Sequence, residues 1–257
     1  MKDTAVAYDW NKVAEQLVTL LRLATPPVGV KWLRSEEELR AIPKVRIHEK
    51  HLPPCAVISH AVQYNWTSAC LSKNVHANYC RGINGMFQRD ARWYSGEMFH
   101  NVWFNNIEAS QAHNRALECI PPEYIGLVAS PLTAGRIVPD VCVLYLKPTQ
   151  AFLLLAGYQF DEYEKLSFSF VGESTCSDSW CKTFLTGKPG LALPCYADKK
   201  FAGVGDDDLR LTFTPDGLNR AVNGLQKMFK TGLRYPIAPY SITTDILDGL
   251  PKHYMEY

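Results

Sequence analysis

Apolar side chains recur along this chain in two rhythms, and the change from one to the other divides it into elements. After Asp9, the residues Trp10, Val13, Leu17, Leu20 and Leu21 return at intervals of three and four. That spacing builds one buried helix face, with Asp9 as its cap. Pro26 and Pro27 end the helix, and "VGVKWL" follows as a short strand. Pro53 and Pro54 suit the first turn of a second helix carrying Cys55, Ile58, Val62 and Trp66 on one side. Residues 71–106 are irregular and rich in aromatics. A third helix is predicted over residues 107–119, stopped by Pro121 and Pro122.

The second half is more regular. "VCVLYL" is an apolar run of β-forming residues, and Pro148 opens the helix "TQAFLLLAGY". "LSFSFV" alternates as a half-buried strand does, with Leu166, Phe168 and Phe170 on one face. A short helix is predicted after Cys176, ending at Gly187 and Pro189. "LALP" and "LRLTFT" read as strands, and "GLNRAVNGLQKMF" as a closing helix stopped by Gly232. These elements predict an α+β fold: a mixed β-sheet with helices packed against it. We expect a single compact domain over residues 1–257, with an N-terminal lobe at 1–125, a C-terminal lobe at 126–235 and a surface-packed tail at 236–257.

Composition narrows the function. A chain of 257 residues buries a full core without a metal staple. The formal net charge is +1 and no dense Lys/Arg run occurs, which argues against nucleic-acid binding. The apolar runs are too short to cross a bilayer, and the N-terminal residues are spaced as an amphipathic helix rather than a secretory signal. The expectation is a cytoplasmic protein whose eight cysteines stay reduced.

Local setting sorts those cysteines. Cys142 lies inside "VCVLYL" and reads as a small core hydrophobe; Cys70 and Cys119, in or near helices, read as packing residues. Cys176 sits in the small-polar loop "GESTCSDS" just before a helix, and Cys55 in a first helical turn. Both settings favour the thiolate. Cys195 follows Pro194 at a strand end, and Cys80 lies in "NYCRGING", where glycines let backbone approach a bulky group. Cys55, Cys80, Cys176 and Cys195 could converge on one site, with Cys181 in reserve. Paired C-x-x-C turns and C-x-x-C-H are absent, so zinc ribbons and c-type haem are not indicated. A cysteine-ligated cluster, a reactive thiol and plain core residues all stay open at this point.

Other constellations are weaker. "GVGDDDL" reads first as a solvated turn, with Asp206 or Asp207 as an alternative partner for a ligand or an arginine near Cys195. His51, His60 and His76 flank Cys55 and Cys80 in sequence, and Arg81 beside Cys80 suits a carboxylate substrate. Trp93, Tyr94, Phe99, Trp103 and Phe104 suit core packing, an apolar pocket or a subunit interface. "GKPG" and "RGING" lack nucleotide-binding spacing, and no G-x-S-x-G or H-E-x-x-H motif is present.

The stretches "PPVGVKWL", "PPCAVISHAV", "YCRGINGMF", "PDVCVLYLKPTQAFLLLAGY", "CSDSWCKTFLTGKPGLALPCYADKKFAGVGDDDL" and "LTFTPDGL" occur in that order. Together they resemble the domain of unknown function 169 family, cysteine-containing proteins of bacteria and archaea. The resemblance implies a cysteine at each of Cys55, Cys80, Cys176 and Cys195, the four that local setting singles out; Cys181 is not part of that pattern. The expectation is a 4Fe-4S cluster on these four cysteines, with Arg81 and Asp178 as polar groups beside it. The protein would then be an iron–sulfur oxidoreductase or electron-transfer component acting on a small molecule or a redox partner protein, with a homo-oligomer allowed. The alternatives are a non-catalytic metabolite- or metal-binding module, or an enzyme with a cysteine nucleophile.

Overall fold

The computed structural model describes residues 8–239 together with 245 and 247. Most of the tail expected to pack on the surface, and residues 1–7, lie outside the described residues. The first half holds α1 (Trp10–Leu21), β1 (Val28–Leu33), α2 (Glu36–Arg40), β2 (Arg46–Ile47), α3 (Pro54–Tyr64), β3 (Ser68–Leu71), α4 (Asn78–Ile83) and α5 (Ile107–Ala116). The second holds β4 (Gly126–Pro131), β5 (Val141–Leu146), α6 (Pro148–Gln159), α7 (Lys182–Thr186), β6 (Gly190–Ala192), α8 (Tyr196–Ala202), β7 (Leu209–Phe213) and α9 (Pro215–Lys230). The strands form one mixed sheet in the order β2-β3-β4-β1-β5-β7-β6, parallel between β2 and β3 and antiparallel elsewhere. Strands from both halves of the chain therefore share a single sheet, and the fold is α+β as expected.

The central strands are covered on both faces, which is why β5 reads as a continuous apolar run. Val141, Val143 and Tyr145 join a core with α3, α4 and Trp180. Cys142, Leu144 and Leu146 join the opposite core with α1, α6 and α9. On that second face α6 and α9 approach so closely that a Cβ on Gly224 would lie 1.9 Å from the Gly157 carbonyl oxygen. Glycine at both positions is what permits the contact.

Several expectations are corrected. "LSFSFV" forms no strand, because residues 166–171 find no neighbouring strand to pair with; Phe170 is 69% exposed. Cys70 lies on β3 rather than near a helix, and α5 stops at Ala116, short of Cys119. The segment after Cys176 opens with a π-helical turn, Ser177–Cys181, before α7. Among the described residues no helix is long and apolar enough to cross a membrane.

Candidate functional site

The four cysteines chosen from their settings wall one small cavity. Cys55 is in the first turn of α3, whose Pro54 at the first helical position leaves no backbone N–H unmet there. Cys80 is in α4, Cys176 immediately precedes the π-helical turn, and Cys195 is the N-cap of α8. These come from four separate segments folded onto the same face of the sheet. Asn84, Glu173, Trp180 and Asp198 also line it, and the space is about 30 Å³, room for roughly one water molecule.

Behind this wall lies a buried cation that the sequence did not single out. Arg210 of β7 is fully buried, and its guanidinium lies over the Trp180 ring, 4.4 Å from the centroid. Its Nε donates to Ser179 Oγ at 2.9 Å and one terminal nitrogen to Thr175 Oγ1 at 3.0 Å. The other terminal nitrogen, Nη1, stands 2.7 Å from Asp198 Oδ2, an ion pair without good hydrogen-bond alignment. The same Oδ2 accepts the Cys195 backbone N–H at 3.0 Å, so the arginine holds the residue that shapes the α8 start. Trp180 Nε1 in turn donates to Asn84 Oδ1 at 2.9 Å, tying this layer to α4. Alternation in "LRLTF" hinted at Arg210: Leu209, Leu211 and Phe213 face the α6/α9 core, leaving Arg210 and Thr212 on the other side. Only the fold shows that this other side is covered.

The thiols feel one another. Burial pushes the Cys55 thiol well above its usual range; Asp198, Cys80 and Cys195 raise it further, and Arg210 opposes them. Cys80 is raised first by burial and then by Cys176 and Cys195. Cys195 is raised by burial and Asp198, again against Arg210. The expectation that a helix start lowers the Cys55 pKa is therefore overturned, because loss of solvent outweighs the helix dipole. Raised thiols are poor nucleophiles at neutral pH, which weakens the cysteine-nucleophile reading for Cys55, Cys80 and Cys195. They bind a cation only by releasing protons to it.

Among the described residues, no three His, Cys, Asp or Glu side chains are placed to hold a single metal ion. The donor chemistry nevertheless suits a thiolate-held iron group: four cysteines line one cavity, beside an arginine already paired with Asp198. Asp198 Oδ1 also lies buried with no hydrogen-bond partner and calls for a donor or a cation. The fit is one of donor set. The present volume holds about one water, so a cluster requires the thiols to spread.

The remaining sequence candidates fall elsewhere. Arg81 does not line the cavity; its guanidinium lies over the Phe87 ring, 5.1 Å from the centroid. Asp178 is buried outside the cavity wall, where its carboxylate accepts Ser169 Oγ–H at 2.6 Å and the Val171 N–H at 2.8 Å. It holds down the segment misread as a strand. Asp206 and Asp207 belong to a solvated turn and pair with Lys199 and Lys147; Asp198 takes the arginine-pairing role considered for them. His60 contacts His48, His76 packs on Phe201, and His51 is exposed; none lines the cavity. Cys181 is buried beside Cys176 and donates weakly to the Ile83 carbonyl at 3.7 Å. Cys70 and Cys142 are sealed in the sheet, and all eight cysteines are free thiols.

An uncharacterised protein of Methanocaldococcus jannaschii, MJ0308, is 24% identical over 221 residues, covering 83% of this chain and 92% of that protein. No solved structure matches the chain. The family model described as "Uncharacterised ArCR", domain of unknown function 169, matches residues 16–224, a span that includes all four cavity cysteines, and the chain belongs to that family.

Proposed function

We propose that this protein carries a 4Fe-4S cluster on Cys55, Cys80, Cys176 and Cys195 and uses it for redox chemistry on a small molecule or for electron transfer to a partner protein. One observation carries the reading: cysteines from four separate segments wall one cavity with a buried arginine behind it. With all four cysteines as ligands, the cluster when bound would store and relay electrons. The chain supplies the thiols, the Trp180 ring beside them, and the buried Arg210–Asp198 pair that fixes the Cys195 segment. A reducing compartment, the cytoplasm, keeps eight unpaired cysteines available for this role.

Protein purified anaerobically should contain iron and sulfide and show a visible band at roughly 400 nm, where thiolate-ligated iron absorbs. Single Cys→Ser variants at the four positions should lose iron, whereas Cys142→Ser, on the opposite face of the sheet, should keep it. Full iron retention in Cys80→Ser or Cys176→Ser would overturn this ligand set. No iron or sulfide in anaerobic wild-type protein would overturn the reading itself.

A further inference from the structure

The helix α4 serves two cavities. Cys80 and the following Asn84 line the cysteine cavity, while Asn78 and Tyr79 line a second one of about 620 Å³. That volume lies in the range of small-molecule sites. Its apolar wall is rigid: the Tyr79 and Trp93 rings stack 4.2 Å apart with 9° between their planes. Tyr79 is pinned by donating to Asn114 Oδ1 at 2.7 Å. Trp93 lies directly on α4, where a Cβ at Gly82 would come within 2.3 Å of the indole. Phe87 adds a third ring to the lining.

The polar groups around these rings are of both signs. Arg92 and Glu97 are exposed residues on the wall, yet neither is in an ion pair with the other or with any described residue. Asp90 also lines the cavity, with one oxygen capping the Trp93 N–H at 3.1 Å. Trp93 Nε1 is buried with no acceptor among the described residues. Aromatic edges, a guanidinium and a carboxylate, the last two without an ion-pair partner among the described residues, together match a molecule that carries all three complements.

The geometry points to this cavity as the binding site for a small aromatic zwitterion of the aromatic amino acid class. Its ring packs against the edges of Trp93 and Phe87 that line the cavity, its carboxylate pairs with Arg92 and its ammonium with Glu97. The cavity communicates with the cysteines through buried hydrogen bonds. The Tyr79 hydroxyl also reaches His113 Nδ1 at 3.3 Å, and His113 Nε2 donates to the carbonyl of Glu173, a residue of the cysteine cavity, at 3.1 Å. That the bound molecule is the substrate of the cluster rests on the function proposed above; that it binds does not.

Calorimetric titration of the full chain, iron-loaded and metal-free, with four probes tests this: L-phenylalanine, 3-phenylpropanoate, phenethylamine and L-cyclohexylalanine. L-phenylalanine should bind about tenfold or more tighter than each of the other three. Arg92→Gln should weaken L-phenylalanine and phenylpropanoate by about tenfold and leave phenethylamine unchanged; Glu97→Gln should weaken L-phenylalanine and phenethylamine by about tenfold and leave phenylpropanoate unchanged. Both residues are exposed, so the variants keep the fold. Equal binding of phenethylamine or phenylpropanoate, equal binding of cyclohexylalanine, or no saturable heat with L-phenylalanine overturns the inference. Binding in a protein that never takes up iron removes the cluster reading alone; iron uptake without L-phenylalanine binding removes this one alone.

Discussion

Arg210 Nη1 and Asp198 Oδ2 lie 2.7 Å apart, with the two side chains 0% and 1% exposed. The pair joins β7, paired on both sides within the sheet, to the first turn of α8 and so fixes where Cys195 stands. Removing one partner leaves a buried, uncompensated charge, which typically costs about 3–5 kcal/mol. Asp198→Ala should therefore unfold at markedly lower urea concentration. The double variant Asp198→Leu/Arg210→Met should recover much of the loss, because it buries no lone charge. If the double variant is no more stable than Asp198→Ala, the pair is not the source of the effect.

Alkaline pH should destabilise the metal-free protein. Burial raises the thiols of Cys55, Cys80, Cys142, Cys181 and Cys195 well above their usual range, and pushes Cys70 up to about 12 and Cys119 to about 11. As pH rises through the ordinary thiol value of about 8.5, the unfolded chain releases these protons first, so stability present below that pH is lost above it. Each thiol contributes a slope of about 1.4 kcal/mol per pH unit until its folded-state value is reached. Urea midpoints at increasing pH in excess reductant should fall steeply. Iron-loaded protein should show a shallower fall, since bound thiolates have no proton to lose.

Acid acts through a different cluster. His60 Nδ1 lies 3.2 Å from His48 Nε2, and burial lowers both pKa values, helped by Arg46 for His48 and by His48 for His60. Groups with lowered folded-state pKa leave stability intact above the unfolded value of about 6.5 and remove it as pH falls through the lower folded values. Thermal melts between neutral pH and mildly acid pH should show this loss, and His60→Gln should reduce it. An unchanged acid limb in His60→Gln would assign the loss to other groups.

The α6–α9 contact makes a prediction independent of the site. Gly224→Ala places a methyl 1.9 Å from the Gly157 carbonyl oxygen, so the helices must separate. Overpacking of this kind costs about 1–3 kcal/mol. Because the contact lies on the face of the sheet opposite the cysteines, iron content should not change while the denaturation midpoint drops.

Local pattern determined much of the fold. The spacing of Val13, Leu17, Leu20 and Leu21 marks the buried face of α1 because a helix repeats nearly every four residues, and "VGVKWL" corresponds to β1 residue for residue. Prolines at the first turns of α3 and α6 mark both helix starts. Pattern misled at "LSFSFV", since alternation says that one face of a segment is apolar, not that a partner strand exists to complete it. It missed "GLVASP", the fully buried β4, because a strand covered on both faces has no alternation to read.

For the site, the sequence by itself determined which cysteines stand in loops and at helix starts, because those settings depend on the few residues around each. That four of them face one cavity was decided by the sheet order, which carries segments far apart in sequence to one side of β5 and β7. The same packing turned Arg210 from a solvent-facing residue of an alternating strand into a buried cation, because Trp180 and the π-helical turn cover it. It also reversed the expected acidity of Cys55. A helix start offers a thiolate a fraction of a charge, whereas burial removes the water that solvates a whole one, and only the tertiary structure decides how much water is left.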